Sequence, residues 1–156
     1  VTEARFENFE LQFEWKVTEG ANSGVFYRVE ESPDQVHFSG LEYQVLDNVG
    51  QSGRPLSEQA AACYGVIPAA VDATRAVGEW NTASILVLHD HVTHHLNGQV
   101  VADFEFGSDD WNARVAEGPM KSLDGLGKTN EGLISLQNYH GHEVAFRGLR
   151  IRRLLD

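Results

Sequence analysis

From Asn8 to Val17 the chain reads Asn-Phe-Glu-Leu-Gln-Phe-Glu-Trp-Lys-Val, with apolar side chains at 9, 11, 13, 15 and 17 and polar ones between. Successive side chains of a strand point to opposite faces, so a repeat of two predicts a strand with one buried and one wet face. Residues 25–30, 42–48, 85–96, 99–106, 133–139 and 143–155 follow in the same β-branched and aromatic style. Turn residues separate them at 19–24, 48–53, Asn97-Gly98 and His140-Gly141. Asn97-Gly98 is the strongest hairpin signal, because a type I′ turn needs φ > 0 at both central positions. Residues 57–62 predict a helical turn and 109–121 a short irregular helix. Six to eight short antiparallel strands with glycine turns predict a single all-β domain, a β-sandwich or a barrel. The first strand starts almost at Val1, so its sheet edge is expected to be open to a partner chain or a further segment.

Composition narrows the partners. Among 156 residues, 12 Lys+Arg stand against 23 Asp+Glu, a net charge of −11, which argues against nucleic-acid or anionic-membrane partners. Hydrophobic residues at 42% and charged ones at 22% suit a packed core rather than an acidic disordered tail. Cys63 is the lone cysteine, which excludes an intrachain disulfide and a cysteine-based zinc site. No apolar run is long enough to cross a bilayer as a helix. Val1 does not open a signal peptide, a feature that a processed exported chain shares, so these residues leave the compartment open.

The most informative chemistry lies in Leu41-Glu42-Tyr43-Gln44-Val45-Leu46-Asp47-Asn48. On a regular strand Glu42 and Gln44 share a face, and a β-bulge at Val45–Leu46 would bring Asp47 round to join them. Two carboxylates and an amide on one concave face are what acid–base work on a sugar requires. The alternative is an ordinary polar strand face. Histidines cluster in His89-Asp90-His91-Val92-Thr93-His94-His95 and His140-Gly141-His142. If 85–96 is one strand, His89, His91 and His95 share a face, either a polar outer surface or two ligands of a metal site awaiting a third. His94 and His140 lie beside turns, where functional side chains gather, and each can act as acid or base near neutral pH.

Tyr27 and Arg28 read either as a sugar-stacking ring with a guanidinium for a hydroxyl or oxyanion, or as core and a surface ion pair. Trp80 reads as a saccharide platform or as core packing. Arg150 and Arg152, in the run 147–153, share a strand face and are expected to pair surface carboxylates. The sequence contains no nucleophile elbow, P-loop, dinucleotide fingerprint or His-Glu-x-x-His motif.

Eight segments in order carry a resemblance: Phe9-Glu10-Leu11…Glu14-Trp15-Lys16, Asn22-Ser23-Gly24-Val25-Phe26-Tyr27-Arg28, Glu42-Tyr43-Gln44-Val45-Leu46-Asp47, Tyr64-Gly65-Val66-Ile67-Pro68, Gly78-Glu79-Trp80-Asn81, His94-His95-Leu96-Asn97-Gly98, Ile134-Ser135-Leu136-Gln137…His140-Gly141 and Val144-Ala145-Phe146-Arg147…Leu149-Arg150-Ile151. Together they resemble the 3-keto-disaccharide hydrolase family over nearly the whole chain. The resemblance implies a concanavalin A-like jelly roll of two antiparallel sheets, a substrate whose glucose carries a ketone at C3, and export to the periplasm or beyond. It also implies that residues 1–156 form one such domain lacking strands that family members carry ahead of the Phe-Glu-Leu segment. His95 stands where the family commonly has Trp.

A C3 ketone acidifies the C2 proton, so a base, an acid for the departing oxygen and a group for the enolate oxygen suffice. On that reading the base is His140 or Glu42, and Asp47 orients it or acts as acid. Asn22, Tyr27, Arg28, Gln44, Trp80, His94, Asn97 and Gln137 would contact the sugar. A divalent cation on Glu42 and His140 is a further option for holding the enolate. The rivals are a lectin-like binding module and an ordinary retaining glycosidase using Glu42 with Asp47.

Overall fold

The computed structural model describes residues 1–30, 39–123, 125–126, 129–139 and 141–155. The strands are β1 (Phe9–Val17), β2 (Asn22–Val29), β3 (Leu41–Leu46), β4 (Asn81–Leu88), β5 (His91–Leu96), β6 (Gln99–Glu105), β7 (Leu133–Leu136) and β8 (Val144–Arg153). One helix, α1 (Asp109–Glu117), follows β6, and a 3-10 turn at Leu56–Glu58 stands where the helical turn was expected. All pairings between these strands are antiparallel. They build a five-stranded sheet in the order β6-β5-β4-β1-β8 and a three-stranded sheet in the order β3-β2-β7. Two such sheets face to face make a jelly-roll-like β-sandwich.

The alternation that opens the sequence is realised in β1. Phe9, Leu11, Phe13, Trp15 and Val17 are buried, while Glu10, Gln12, Glu14 and Lys16 face outward. The apolar face of β1 meets Val25 and Tyr27 of β2 and Leu41, Tyr43 and Val45 of β3 in one core. Edge-on ring pairs join the layers, Phe9 to Tyr27 at 6.3 Å and Phe13 to Tyr43 at 5.4 Å between centroids. At the start of α1, Ser108 caps the helix by accepting from the Trp111 amide, and Trp111 stacks on Phe104 at 5.3 Å.

Two expectations are corrected. β1 is not at a sheet edge: it lies between β4 and β8, because the C-terminal strand returns to pair with it from Val17↔Val144 to Phe9↔Arg153. The edges of this sheet are β6 and β8. Residues 85–96 are two strands, not one. The chain reverses at His89 and Asp90, where His89 takes φ 54°, its amide donates to Asn8 Oδ1 at 2.7 Å and its carbonyl accepts from Arg28 at 2.6 Å. Partners distant in sequence hold this turn, so neither glycine nor asparagine marks it. The Asn97-Gly98 hairpin has φ 49° and 82°, as a type I′ turn demands.

Candidate active site

The three-stranded sheet turns one face to the core and the other to a cavity of about 410 Å³. Alternation along β2 and β3 sorts the side chains. Val25, Tyr27, Leu41, Tyr43 and Val45 go inward, while Asn22, Phe26, Glu42 and Gln44 line the cavity. Residues 61–64 run along the outer edge of β3, held by Ala61 N to Gln44 O at 2.8 Å and Tyr64 N to Glu42 O at 3.0 Å. The segment after α1 then packs on this edge, with Pro119 and Met120 seated against Gly65, where a Cβ would collide with both. Gln137, just past β7, is anchored to β2 by its amide on Gly24 O at 2.9 Å and its carbonyl on Ser23 Oγ at 2.8 Å.

Chemically the lining divides in two. Asn22, Glu42, Gln44, Gln137 and Arg54 supply amides, a carboxyl and a guanidinium; Val66, Pro119, Met120, Leu123 and Leu126 supply apolar surface. The Glu42 carboxyl lies over Gly24, where any Cβ would strike it, so a residue without a side chain is what leaves it room. Among the described residues no cation or hydrogen-bond donor meets that carboxyl. Burial alone raises its pKa to about 8. Gln44 is 1% exposed; its Nε2 donates to Glu58 O at 3.3 Å, while its Oε1 has no partner among the described residues. A buried acceptor left open is costly unless something fills it.

Of the residues singled out in the sequence, Glu42, Gln44, Asn22 and Gln137 come together here, and His140 lies outside the described residues. The others lie elsewhere. No bulge rotates Asp47, since β3 pairs with β2 in unbroken register to Asn22↔Leu46. Asp47 is instead the cap of the next turn, accepting from the amides of Gly20 (2.8 Å), Val49 (3.2 Å) and Gly50 (3.0 Å). His94 is wholly buried between the sheets. Its Nδ1 donates to Ala61 O at 2.9 Å, so its Nε2 accepts the Tyr27 hydroxyl at 2.9 Å. Burial lowers its pKa to about 4. Tyr27 is therefore core rather than a sugar platform.

Arg28, 1% exposed, takes φ 54° where the β2–β7 register shifts, and its guanidinium lies 4.9 Å over Phe106. Trp80 carries Lys16 at 5.0 Å and Arg147 at 4.0 Å on its ring, away from the cavity. Asn97 pins its own hairpin, accepting from Thr82 N and donating to Ala73 O and Asn81 Oδ1. His91 and His95 do face outward, and His91 pairs with Asp103 at 2.7 Å. Among the described residues no three of His, Cys, Asp and Glu come together as metal ligands.

Sequence reasoning missed Arg54 and Tyr64. Arg54 enters the cavity from a loop between Gly53 and Pro55, bonded to Gln51 Oε1 and Glu58 Oε2, each at 3.1 Å. Tyr64, whose pKa burial raises, adds its phenol to the lining. Tyr64-Gly65 stood among the family-like segments, but a loop arginine in a polar stretch carries no periodic signal.

Comparison with known proteins agrees with this architecture. A crystal structure of a Parabacteroides distasonis protein assigned to the glycosyl hydrolases superposes with a TM-score of 0.90 at 27% identity, covering 99% of this chain and 75% of that one. A second from the same organism gives 0.83 at 28% identity, covering 98% and 81%. A carbohydrate binding module from Bacillus subtilis shares the fold alone, with a TM-score of 0.60 at 11% identity over 96% of this chain and 77% of that one. A Bacteroides thetaiotaomicron protein named 3-keto-disaccharide hydrolase is 34% identical over 174 residues, 96% of this chain, and this chain spans 60% of that protein's length. The profile of the 3-keto-alpha-glucoside-1,2-lyase-like domain matches residues 1–152, and the chain belongs to that family.

Proposed function

We propose that this domain cleaves glycosides of 3-keto-glucose, with Glu42 as the base that removes the C2 proton. The observation that carries the reading is a single carboxyl, free of cations among the described residues, set over Gly24 in a cavity with amides on one part of its lining. The family's name and that of the Bacteroides thetaiotaomicron relative support the substrate class. An isolated, desolvated carboxylate is a stronger base than a solvated one, which suits abstraction from carbon.

Glu42 takes the proton from C2, and the C2–H electrons delocalise onto the C3 oxygen as an enolate. The pair then returns to form C1=C2 while C3=O is restored, and the C1–O bond breaks with its electrons on the leaving oxygen. That oxygen takes a proton, and water adds across C1=C2 to complete net hydrolysis. In this reading Arg54 holds the enolate oxygen, and Gln44 Oε1 and the Asn22 and Gln137 amides bond sugar hydroxyls. Tyr64, held protonated by burial, is the donor to the leaving oxygen. A retaining glycosidase would need a second carboxylate facing Glu42. Asp47 does not line the cavity, so the elimination route is the better supported.

The test is release of aglycone from a 3-keto-glucoside and from its unoxidised parent. The wild type is expected to cleave the first only, and Glu42→Gln to lose about a hundredfold or more of that turnover. Equal cleavage of the unoxidised glucoside, or full activity in Glu42→Gln, overturns the proposal.

A further inference from the structure

A second hollow, of about 420 Å³, lies on the outward face of the five-stranded sheet, and we propose that it is a binding groove for a carboxylated saccharide, a chain carrying hexuronate residues. Four polar side chains form one rung across four strands. Register sets Arg150 of β8 opposite Gln12 of β1, Gln12 opposite Ser84 of β4, and Ser84 opposite His95 of β5. At ~4.8 Å between strands the rung spans roughly 14 Å. Its floor is low because Thr82, Ser84, Gly98 and Gly148 line it between the longer Glu14, Arg150 and His95.

A β-bulge produces the charge pattern. Opposite β8 the register shifts between Gln12 and Glu14, and Gly148 there has φ 63°. The extra residue brings Arg147 onto the same outward face as Arg150 and Arg152. Arg147 grips Glu14 at 2.9 and 3.1 Å, and Arg152 grips Glu10 at 2.7 Å. Arg150 instead faces an amide, Gln12, whose Nε2 already donates to Glu10 at 2.8 Å. Among the described residues no carboxylate pairs with Arg150.

The two neighbouring acids are thus neutralised, and one guanidinium keeps its planar fork open for a carboxylate. At the far end of the rung, the His95 imidazole lines the hollow. Between them Gln12 and Ser84 line the hollow, and Gln12 Oε1 and the Ser84 hydroxyl have no partner among the described residues. Alternating donors and acceptors, with one carboxylate fork and no apolar anchor among the outward side chains of the rung, fit a polyhydroxyl chain better than a peptide, which relies on buried apolar anchors.

The test is calorimetric titration of the purified chain with tetragalacturonate and, as the neutral arm, cellotetraose. Wild type is expected to bind the first and not the second. Arg150→Gln and the groove-filling Ser84→Gln should each weaken binding by about tenfold or more, with Tm measured on both. Glu42→Gln should bind as wild type, and Arg150→Gln should keep its turnover of 3-keto-glucosides, which separates this groove from the cavity. No binding of tetragalacturonate, unchanged binding in Arg150→Gln, or equal binding of cellotetraose overturns the proposal.

Discussion

Glu42 and His94 sit one layer apart, and burial acts on them with opposite sign. Burial keeps the proton on Glu42 until about pH 8, so kcat/KM for a 3-keto-glucoside is expected to rise with pH and level off above 8. A limb centred near the ordinary carboxylate value would remove Glu42 as the base. The unfolded chain ionises Glu42 near its ordinary value, so this residue costs stability as pH climbs from 4.5 towards 8. Glu42→Gln should raise Tm above pH 8 relative to wild type, as an isolated buried carboxylate is removed.

His94 runs the other way: the unfolded imidazole takes a proton near pH 6.5, which the folded protein refuses until about 4. Its contribution is complete above 6.5 and is lost as pH falls towards 4, about 3 kcal/mol over that window. His94→Phe abandons the Tyr27 hydroxyl and is less stable at pH 7. Its urea midpoint should nevertheless change less than wild type's between pH 7 and 4.5. An equal change in both proteins would mean that His94 is not the group being titrated.

At the scale of elements, one glycine leaves room for the Glu42 carboxyl and one aspartate holds the turn after β3. Gly24 of β2 clears the space that the Glu42 carboxyl occupies. Gly24→Ala is expected to fold, since its backbone is ordinary strand, but to push that carboxyl aside and reduce turnover by about tenfold or more. Turnover equal to wild type would show that the position of Glu42 is set elsewhere. The turn after β3 depends on Asp47. Asp47→Ala strands three amides and should cost about 3 kcal/mol in chemical denaturation. The turnover of the remaining folded protein should stay near wild type, whereas a catalytic acid at 47 would lose it in proportion to its role.

For the molecule as a whole, the two sheets share one core, so they should melt together. Phe13 on β1 packs on Tyr43 across the layers, and Phe13→Ala is expected to cost about 3–5 kcal/mol. Far-UV circular dichroism and tryptophan fluorescence should then shift to the same new midpoint. Separate midpoints would mean that the three-stranded sheet, which carries the cavity, unfolds by itself. The acidic balance of the chain does not extend evenly over its surface, because Glu10 and Glu14 are bound to arginines of β8 while Arg150 is free of such a pair among the described residues.

What the amino-acid order determined by itself is local and periodic: the alternation of β1, the Asn97-Gly98 turn, the helix that Ser108 caps, and the shared face of Glu42 and Gln44. Each follows from contacts within a few residues, where strand parity or a positive φ leaves one solution. The family was legible too, because its signal is spread over eight ordered segments. The tertiary structure decided everything that depended on which layer a face meets. It buried His94 and Arg28, which read as surface chemistry. It turned the chain at His89 through Asn8 and Arg28, brought β8 back to cover β1, and carried Arg54 and Tyr64 to the cavity from a loop. A polar side chain has no period of its own to show whether water, a core or a cavity awaits it, and only the packing of distant strands makes that choice.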